Sequence, residues 1–239
     1  MKKMFGKKLA FLLAAAVLAA GAFTSCEIDF FGSGHDGNDD KGKTPSETFK
    51  KFDVSEDGVY YVNKAGEISA EKKDGYVFKV LIFLGDEYNP YICSLEEYTG
   101  SDSSLSIPEG ITGIHYKTAF DGCEELTSVI FPKGIYGINR YAFNECAALT
   151  TVEFKGGLHS GYIGKYAFYN CDKLVTVKYA GTKEQWNSIA PSDSYSSFIS
   201  GGIFYSENIE DYSGKRVTVE CKDGKLKAGG YNGYFEDAE

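Results

Sequence analysis

One sequence pattern occurs three times between residues 111 and 180, and it constrains the fold more than any other feature of the chain. The three copies read ITGIHYKTAFDGCEELTSVIFPKG, IYGINRYAFNECAALTTVEFKGG and YIGKYAFYNCDKLVTVKYAGT. Their shared core is A-F-x-x-C-x-x-L-x-x-V-x-[FY], and the offsets between copies are 23 and 25 residues. A period of this length predicts a solenoid, because each repeat must cover the apolar face of the next one.

Each copy ends in a short alternating segment, which predicts one strand with a single buried face. These segments are residues 129–131, 152–154 and 177–179. Successive copies would place the three strands side by side in a parallel sheet. The Ala-Phe-x-x-Cys-x-x-Leu part of each copy then forms the return leg, and its small Ala and Cys side chains suit closely stacked turns.

Three of the six cysteines recur in phase with the repeat, so packing explains them better than redox chemistry. We therefore expect Cys123, Cys146 and Cys171 to form a buried column of free thiols. Stacked side chains point in parallel, whereas a disulfide needs the two side chains to turn toward each other. Cys93 and Cys221 have no place in the repeat, and whether they pair in an oxidising compartment stays open.

The repeat resembles the BspA-like leucine-rich repeat family. Its L-x-x-V-x-F segment matches the leucine-rich strand motif, and the preceding A-F-x-x-C, with Ile107-Pro108 and Phe131-Pro132, is typical of the BspA-like class. The resemblance implies an α+β repeat solenoid with a parallel β-sheet face. Lys155 replaces the proline in the second copy, so we expect a short solenoid and not a long regular horseshoe. The family is associated with surface exposure and attachment to host or matrix proteins.

The first 25 residues predict a bacterial lipoprotein signal peptide. Four lysines precede an uncharged, mostly apolar run over residues 9–23, which is too short to span a membrane comfortably. The small residues before Cys26 resemble a lipobox, so we expect the Cys26 thiol to carry the lipid. The alternative is ordinary signal cleavage with Cys26 incidental. Residues 26–48 are rich in Gly, Asp and Lys, which predicts a disordered tether.

The segments on either side of the repeats predict caps for the open ends of the core. Residues 49–104 predict a β-rich N-terminal cap that supplies a first rung at Leu105-Ser-Ile107, and a separate small β-domain is the alternative. Residues 105–180 then hold the leucine-rich repeats.

Residues 181–239 predict a C-terminal cap and tail, with a short helix followed by a strand. Thr182 with Gln185 three residues later is a capping-box pattern, and Trp186 and Ile189 are spaced to cover the core. Alternation over residues 217–221 predicts the final strand, and the segment from Ala228 is a Gly-rich, acidic tail.

Composition and motifs exclude several classes of function. The chain carries 25 basic and 34 acidic residues, and this negative balance argues against nucleic acid or an anionic lipid surface as a partner. No nucleotide-binding, zinc-protease or serine-hydrolase motif is present. The three histidines, His35, His115 and His159, are expected to be solvated surface residues. The sequence therefore predicts no metal, no cofactor and no enzyme.

The favoured hypothesis is a membrane-anchored recognition or adhesion module in the cell envelope that binds a protein ligand. The exposed strand positions can vary without disturbing the core, so they are the expected partner-binding residues. These positions are Ser128, Ile130, Thr151, Glu153, Thr176 and Lys178. The alternative is a structural or assembly protein of the envelope with no external ligand, in which the same residues are merely soluble strand residues.

Overall fold

The computed structural model describes residues 51–85, 91–115, 119–120, 123–158, 162–189, 203–204, 206, 216–229 and 234–238. The predicted signal peptide, Cys26 and the tether lie outside these residues. The strands are β1 (Gly58–Val62), β2 (Ile68–Ser69), β3 (Phe78–Phe83), β4 (Ile92–Tyr98), β5 (Ser104–Ser106), β6 (Gly113–Ile114), β7 (Ser128–Phe131), β8 (Gly137–Ile138), β9 (Thr151–Phe154), β10 (Tyr162–Ile163), β11 (Thr176–Tyr179), β12 (Thr218–Cys221), β13 (Gly224–Gly229) and β14 (Tyr234–Ala238), and the helix is α1 (Lys183–Ser188).

The strands form two seven-stranded sheets. The first sheet has the order β10-β8-β6-β4-β3-β1-β2, and the second has the order β14-β13-β12-β11-β9-β7-β5. Each copy of the repeat gives a four-residue strand to the second sheet, as the alternating segments predict. It also gives a two-residue strand to the first sheet, which the sequence pattern does not predict. Within the repeats all neighbouring strands are parallel.

The regular secondary structure of the described residues is strand apart from one six-residue helix, so the predicted α+β class is not what this part of the chain shows. The fold is a leucine-rich type of repeat with parallel strands in both sheets. The return legs are turns because residues within them adopt positive φ. Tyr141 and Glu145 have φ of 56° and 58°, and Tyr166 and Asn170 have φ of 61° and 53°. A right-handed helix cannot continue through a left-handed residue.

A continuous row of aromatic rings, here called the aromatic spine, runs through the core. Its middle is formed by Phe120, Phe143 and Phe168 of the three copies, with ring centroids 4.3 and 5.1 Å apart. Tyr98 and Phe78 extend it toward the N-terminus, at 5.6 and 5.3 Å. Two further rings, Phe204 and Phe235, extend it at the other end, with successive separations of 5.7 and 6.3 Å. The spine therefore joins the repeats to both flanking segments.

The chain adds one irregular turn of the repeat at each end. Between two copies of the repeat, the Phe143 N–H donates to the Ala167 carbonyl at 2.8 Å. At the N-terminal end, the Tyr98 N–H donates in the same way to the Ala119 carbonyl, also at 2.8 Å. The Phe168 N–H donates in the same way to the Ile203 carbonyl at 3.0 Å. In the second sheet β5 pairs with β7 and β12 pairs with β11, both in parallel. Two rungs thus flank the three predicted copies.

The N-terminal strands continue directly into the repeats. Strand β4 pairs antiparallel with β3 and parallel with β6, so one sheet contains both the N-terminal strands and the repeat strands. Leu105 pairs with Val129 in parallel register, which is the position expected for a first rung. The limits of the segments themselves stay predictions.

The C-terminal helix is capped as predicted. Thr182 Oγ1 accepts from the Gln185 N–H at 3.1 Å, and Gln185 Oε1 accepts from the Thr182 N–H at 2.9 Å. Trp186 is 2% exposed, and its ring contacts Tyr179 and Phe235 at centroid distances of 5.2 and 5.7 Å. Ile189 is buried as well. The tail differs from the prediction, because β14 pairs antiparallel with β13.

The cysteine column is only partly as expected. Cys146 and Cys171 are fully buried, and each Sγ donates to the carbonyl of the previous copy's phenylalanine, Phe120 at 3.8 Å and Phe143 at 3.0 Å. Cys123 is half-buried, so the prediction of three buried thiols is wrong for this residue. Its side chain lines an open groove together with Tyr98 and Asp102.

Cys93 and Cys221 are both free and lie in different sheets. Burial raises the pKa of the Cys93 thiol to about 12 and that of the Cys221 thiol to about 11. Both thiols therefore stay protonated at neutral pH, and a protonated thiol is a poor nucleophile.

Native alkylation should separate these thiols by burial. We expect Cys93, Cys146 and Cys171 to resist iodoacetamide in the folded protein, and the half-buried Cys123 and Cys221 to react before them. All should react once the chain is denatured. Mass spectrometry of peptides from timed reactions measures this order. Rapid native labelling of Cys146 or Cys171 would show that the repeat register is wrong.

Candidate binding face

The six predicted partner-binding residues lie on one face of the second sheet. In β7, β9 and β11 they alternate with residues that are buried in the core, such as Val129, Val152 and Val177. Five of the six side chains are half-buried between neighbouring strands, and Lys178 is exposed. We call this outward surface of the second sheet the strand face.

Parallel register aligns the strand face into two rows. The hydroxyl row contains, in strand order, Ser104, Ser128, Thr151, Thr176 and Thr218, followed by Lys227 and Glu236. The charge row contains Ser106, Ile130, Glu153, Lys178, Glu220, Lys225 and Ala238. Neighbouring strands lie about 4.8 Å apart, so the rows present side chains at a regular spacing.

Local hydrogen bonds hold the start of the hydroxyl row in line. Ser128 Oγ donates to Ser104 Oγ at 2.8 Å. Just before the strands, Thr127 Oγ1 donates to the Ser103 carbonyl at 2.6 Å, and Thr150 Oγ1 donates to the Thr127 carbonyl at 3.0 Å. These bonds link successive repeats at the entry to each strand.

The strand face is larger than the sequence prediction, which stops at β11. The structure adds outward residues from the first rung and from the C-terminal strands: Ser104, Ser106, Thr218, Glu220, Lys225 and Lys227. The sequence does carry a signal for four of them. The alternation of Val217 and Val219 turns Thr218 and Glu220 outward, and the first rung at Leu105 turns its two flanking serines outward.

The charges of the charge row alternate in sign, with Lys178 and Lys225 exposed and Glu153 and Glu220 half-buried. Lys225 Nζ lies 3.3 Å from Glu220 Oε1, with side-chain exposures of 53% and 40%. Exposed pairs of this kind contribute at most about 1 kcal/mol to stability. The charges are therefore available to a partner at little cost to the fold.

The described residues form a groove beside Cys123 but hold no cluster of metal ligands. No group of three or more His, Cys, Asp or Glu side chains among them is placed to hold a metal ion. The groove beside Cys123 has a volume of about 290 Å³, and its lining carboxylate Asp102 is bonded to Tyr98 and, at 2.7 Å, to Lys64. Hydrogen bonds to Lys64 and Tyr98 lower the pKa of Asp102.

His115 is less solvated than expected. It is half-buried, and its Nδ1 lies 3.6 Å from Glu96 Oε2 on the neighbouring strand β4. Burial raises the pKa of the Glu96 carboxyl. His35 and His159 lie outside the described residues. Within the part of the chain that the structure describes, no helix is long and apolar enough to cross a membrane.

The return legs carry a different surface. Tyr141, Tyr166 and Tyr169 form a cluster with ring centroids 5.3 to 5.7 Å apart, and all three are half-buried. Lys165 Nζ lies 4.9 Å from the Tyr166 ring centroid. Two of these tyrosines occur at equivalent positions of successive copies, so stacking of the repeats explains their contact.

One of three comparisons with known proteins, the scan against family models, agrees with the repeat pattern. The family model for the BspA type leucine rich repeat region matches residues 97–213, with six copies. A solved leucine rich cell surface protein from Faecalibacterium prausnitzii A2-165 is similar, with 18% sequence identity and a TM-score of 0.33. The match covers 63% of this chain and 42% of that one, so the chain spans less than half of that protein's length. No curated protein matches the chain.

Proposed function

Residues 97–213 of this chain are a BspA-type leucine-rich repeat region, and from this premise we propose that the chain is a non-enzymatic recognition module of the cell envelope. Its strand face binds a protein ligand, and a lipid on Cys26 anchors it to a membrane. The alignment of two side-chain rows across the second sheet carries this proposal. Donors and acceptors at regular intervals on a rigid sheet suit an extended partner surface, whereas small molecules bind in concave pockets.

The core supports this role because it does not depend on the strand face. The residues that fill the core, including the aromatic spine, point away from the face. Outward residues of the strands can therefore change with the ligand while the fold stays the same. Leucine-rich type repeats provide this separation in each turn, since strand residues alternate between the core and the outside.

The anchor follows from the N-terminal sequence. Four lysines, an apolar run and small residues lead directly to Cys26, and the following Gly- and Asp-rich segment suits a tether. Each buried methylene of an acyl chain contributes about 0.8 kcal/mol, so two or more chains hold a protein on a membrane. A tether of about 20 residues has a root-mean-square reach of roughly 25 Å.

Replacement of Cys26 with alanine should move the protein from the detergent phase to the aqueous phase in Triton X-114 partitioning. The reason is that alanine offers no thiol for acylation, so the mature chain carries no lipid. Cys221→Ala is the matched control, because it removes a half-buried thiol far along the chain, and this variant should stay in the detergent phase. A Cys26→Ala variant that loses its signal peptide and still partitions into detergent contradicts the anchor.

A capture experiment tests the binding role. The full chain is immobilised, labelled proteins from the surrounding matrix and from envelope extracts are passed over it, and retained proteins are identified. Retention of matrix proteins that depends on the strand face supports recognition of an external ligand. Retention of envelope components alone supports the structural role. Protease shaving of intact cells determines whether the repeats are exposed at the outer surface.

A further inference from the structure

We propose that the strand face also binds a second copy of this chain, with a two-fold axis that runs along the strands between β11 and β12. The inference rests on the proposed function, because it uses the same face and names one protein that the face binds. Such an axis brings two identical faces together with the strand order reversed. A residue on β11 of one copy then faces a residue on β12 of the other, so the face must be complementary to itself.

The charge row meets this requirement. Glu153, Lys178, Glu220 and Lys225 lie on four adjacent strands, and their signs alternate. When the order is reversed, Lys178 faces Glu220 of the second copy and Glu153 faces Lys225 of the second copy. Every charge in the row then meets an opposite charge, and no like charges meet. Complementarity of this kind favours the correct pairing and disfavours others.

The remaining positions fit the same axis. Thr176 faces Thr218 of the second copy, and hydroxyls can both donate and accept. Thr151 and Ser128 face the charged residues Lys227 and Glu236, for which a hydroxyl is a suitable partner. At the edge of the charge row, Ile130 faces Ala238, which places apolar against apolar.

The size of the face sets the strength of the pairing. From β7 to β14 the face covers six strands, or about 24 Å, and it is about four residues long, or roughly 13 Å. Each copy therefore buries about 300 Å², well below the roughly 800 Å² per partner of a stable complex. The pairing is weak in solution, and it becomes effective where many copies are held side by side on one surface and meet copies on another.

Charge reversal on either side of the axis tests the proposal. Lys178→Glu places two carboxylates opposite each other across the axis, and Glu220→Lys places two ammonium groups opposite each other. A copy with Lys178→Glu is nevertheless fully complementary to a copy with Glu220→Lys. Full-length protein is coupled through its N-terminal end to beads of two colours, and co-clustering is counted at low and high salt.

Wild-type beads should cluster, and clustering should weaken as salt rises. Each reversed variant alone should cluster at least tenfold less than wild type. Beads with Lys178→Glu mixed with beads carrying Glu220→Lys should recover to within about threefold of the wild-type level. Lys72→Glu and Glu71→Lys make the same charge changes on exposed residues of the N-terminal segment, so they are matched controls that should cluster like wild type.

Two results overturn the inference: wild-type beads that stay dispersed at low salt, or reversed variants that fail to recover when mixed. If the alternating charges serve only to stabilise the sheet, the variants lose stability in urea and show no recovery. The outcome is separate from that of the proposed function. If the charge-reversed variants lose capture of matrix proteins but their beads cluster like wild type, only the self-pairing is overturned. If the reversed variants lose clustering but capture matrix proteins like wild type, only the assignment of the ligand to the strand face is overturned.

Discussion

Replacement of Phe143 with alanine should destabilise the fold by about 3–5 kcal/mol, because the ring fills the centre of the aromatic spine. Phe143 is fully buried, and its ring contacts Phe120 at 4.3 Å, Phe168 at 5.1 Å and Phe131 at 5.8 Å. The change leaves a cavity between the first and third copies of the repeat. Domains have free energies of unfolding of about 5–15 kcal/mol, so the loss is a large fraction of the total.

Urea denaturation followed by circular dichroism measures this effect, with Phe83→Ala as the matched control. Phe83→Ala is the same chemical change, but it lies on the outer side of β3, where Phe83 is 46% exposed. The control should lose only about 1 kcal/mol, because less apolar surface leaves the core. Equal losses in the two variants would mean that the spine does not hold the repeats together.

The repeat strands β7, β9 and β11 of the second sheet could be predicted from the sequence because their signals are local and repeated. Val-x-Phe or Val-x-Tyr recurs at the same offset after the cysteine of each copy, and this alternation gives both the strand and its buried side. The capping box at Thr182 is equally local. The six candidate residues follow from the same alternation, although their binding role stays a prediction.

Other features could not be predicted because their causes lie far apart in the sequence. Gly137-Ile138 is a strand only because neighbouring copies pair with it, and two residues are too few to show a period. Phe204 and β12 form one further turn of the repeat, but the helix α1 and a long connection separate them from the third copy. The partial exposure of Cys123 could not be predicted either, because Cys123 lines a groove together with Tyr98 and Asp102, which lie more than 20 residues earlier in the chain.

The strand face should lose its protein ligand when two of its central charges are exchanged. Glu153→Lys with Lys178→Glu keeps the net charge of the chain but inverts the order of charges on β9 and β11. Both side chains lie on the outer side of the sheet and not in the core, so the free energy of unfolding should change by less than about 0.5 kcal/mol. A partner fitted to the original order then meets like charges, which costs several kcal/mol at an interface.

The most direct measurement is capture of labelled matrix and envelope proteins by the immobilised full chain, compared between wild type and this exchange. Glu71→Lys with Lys72→Glu is the matched control, because it is an equivalent exchange on exposed residues away from the face. We expect the strand-face exchange to reduce capture at least tenfold while the control stays at the wild-type level. Capture that survives the strand-face exchange, but is lost when Asn144 and Tyr169 of the return legs are replaced with alanine, would contradict the account and place the ligand on the opposite surface.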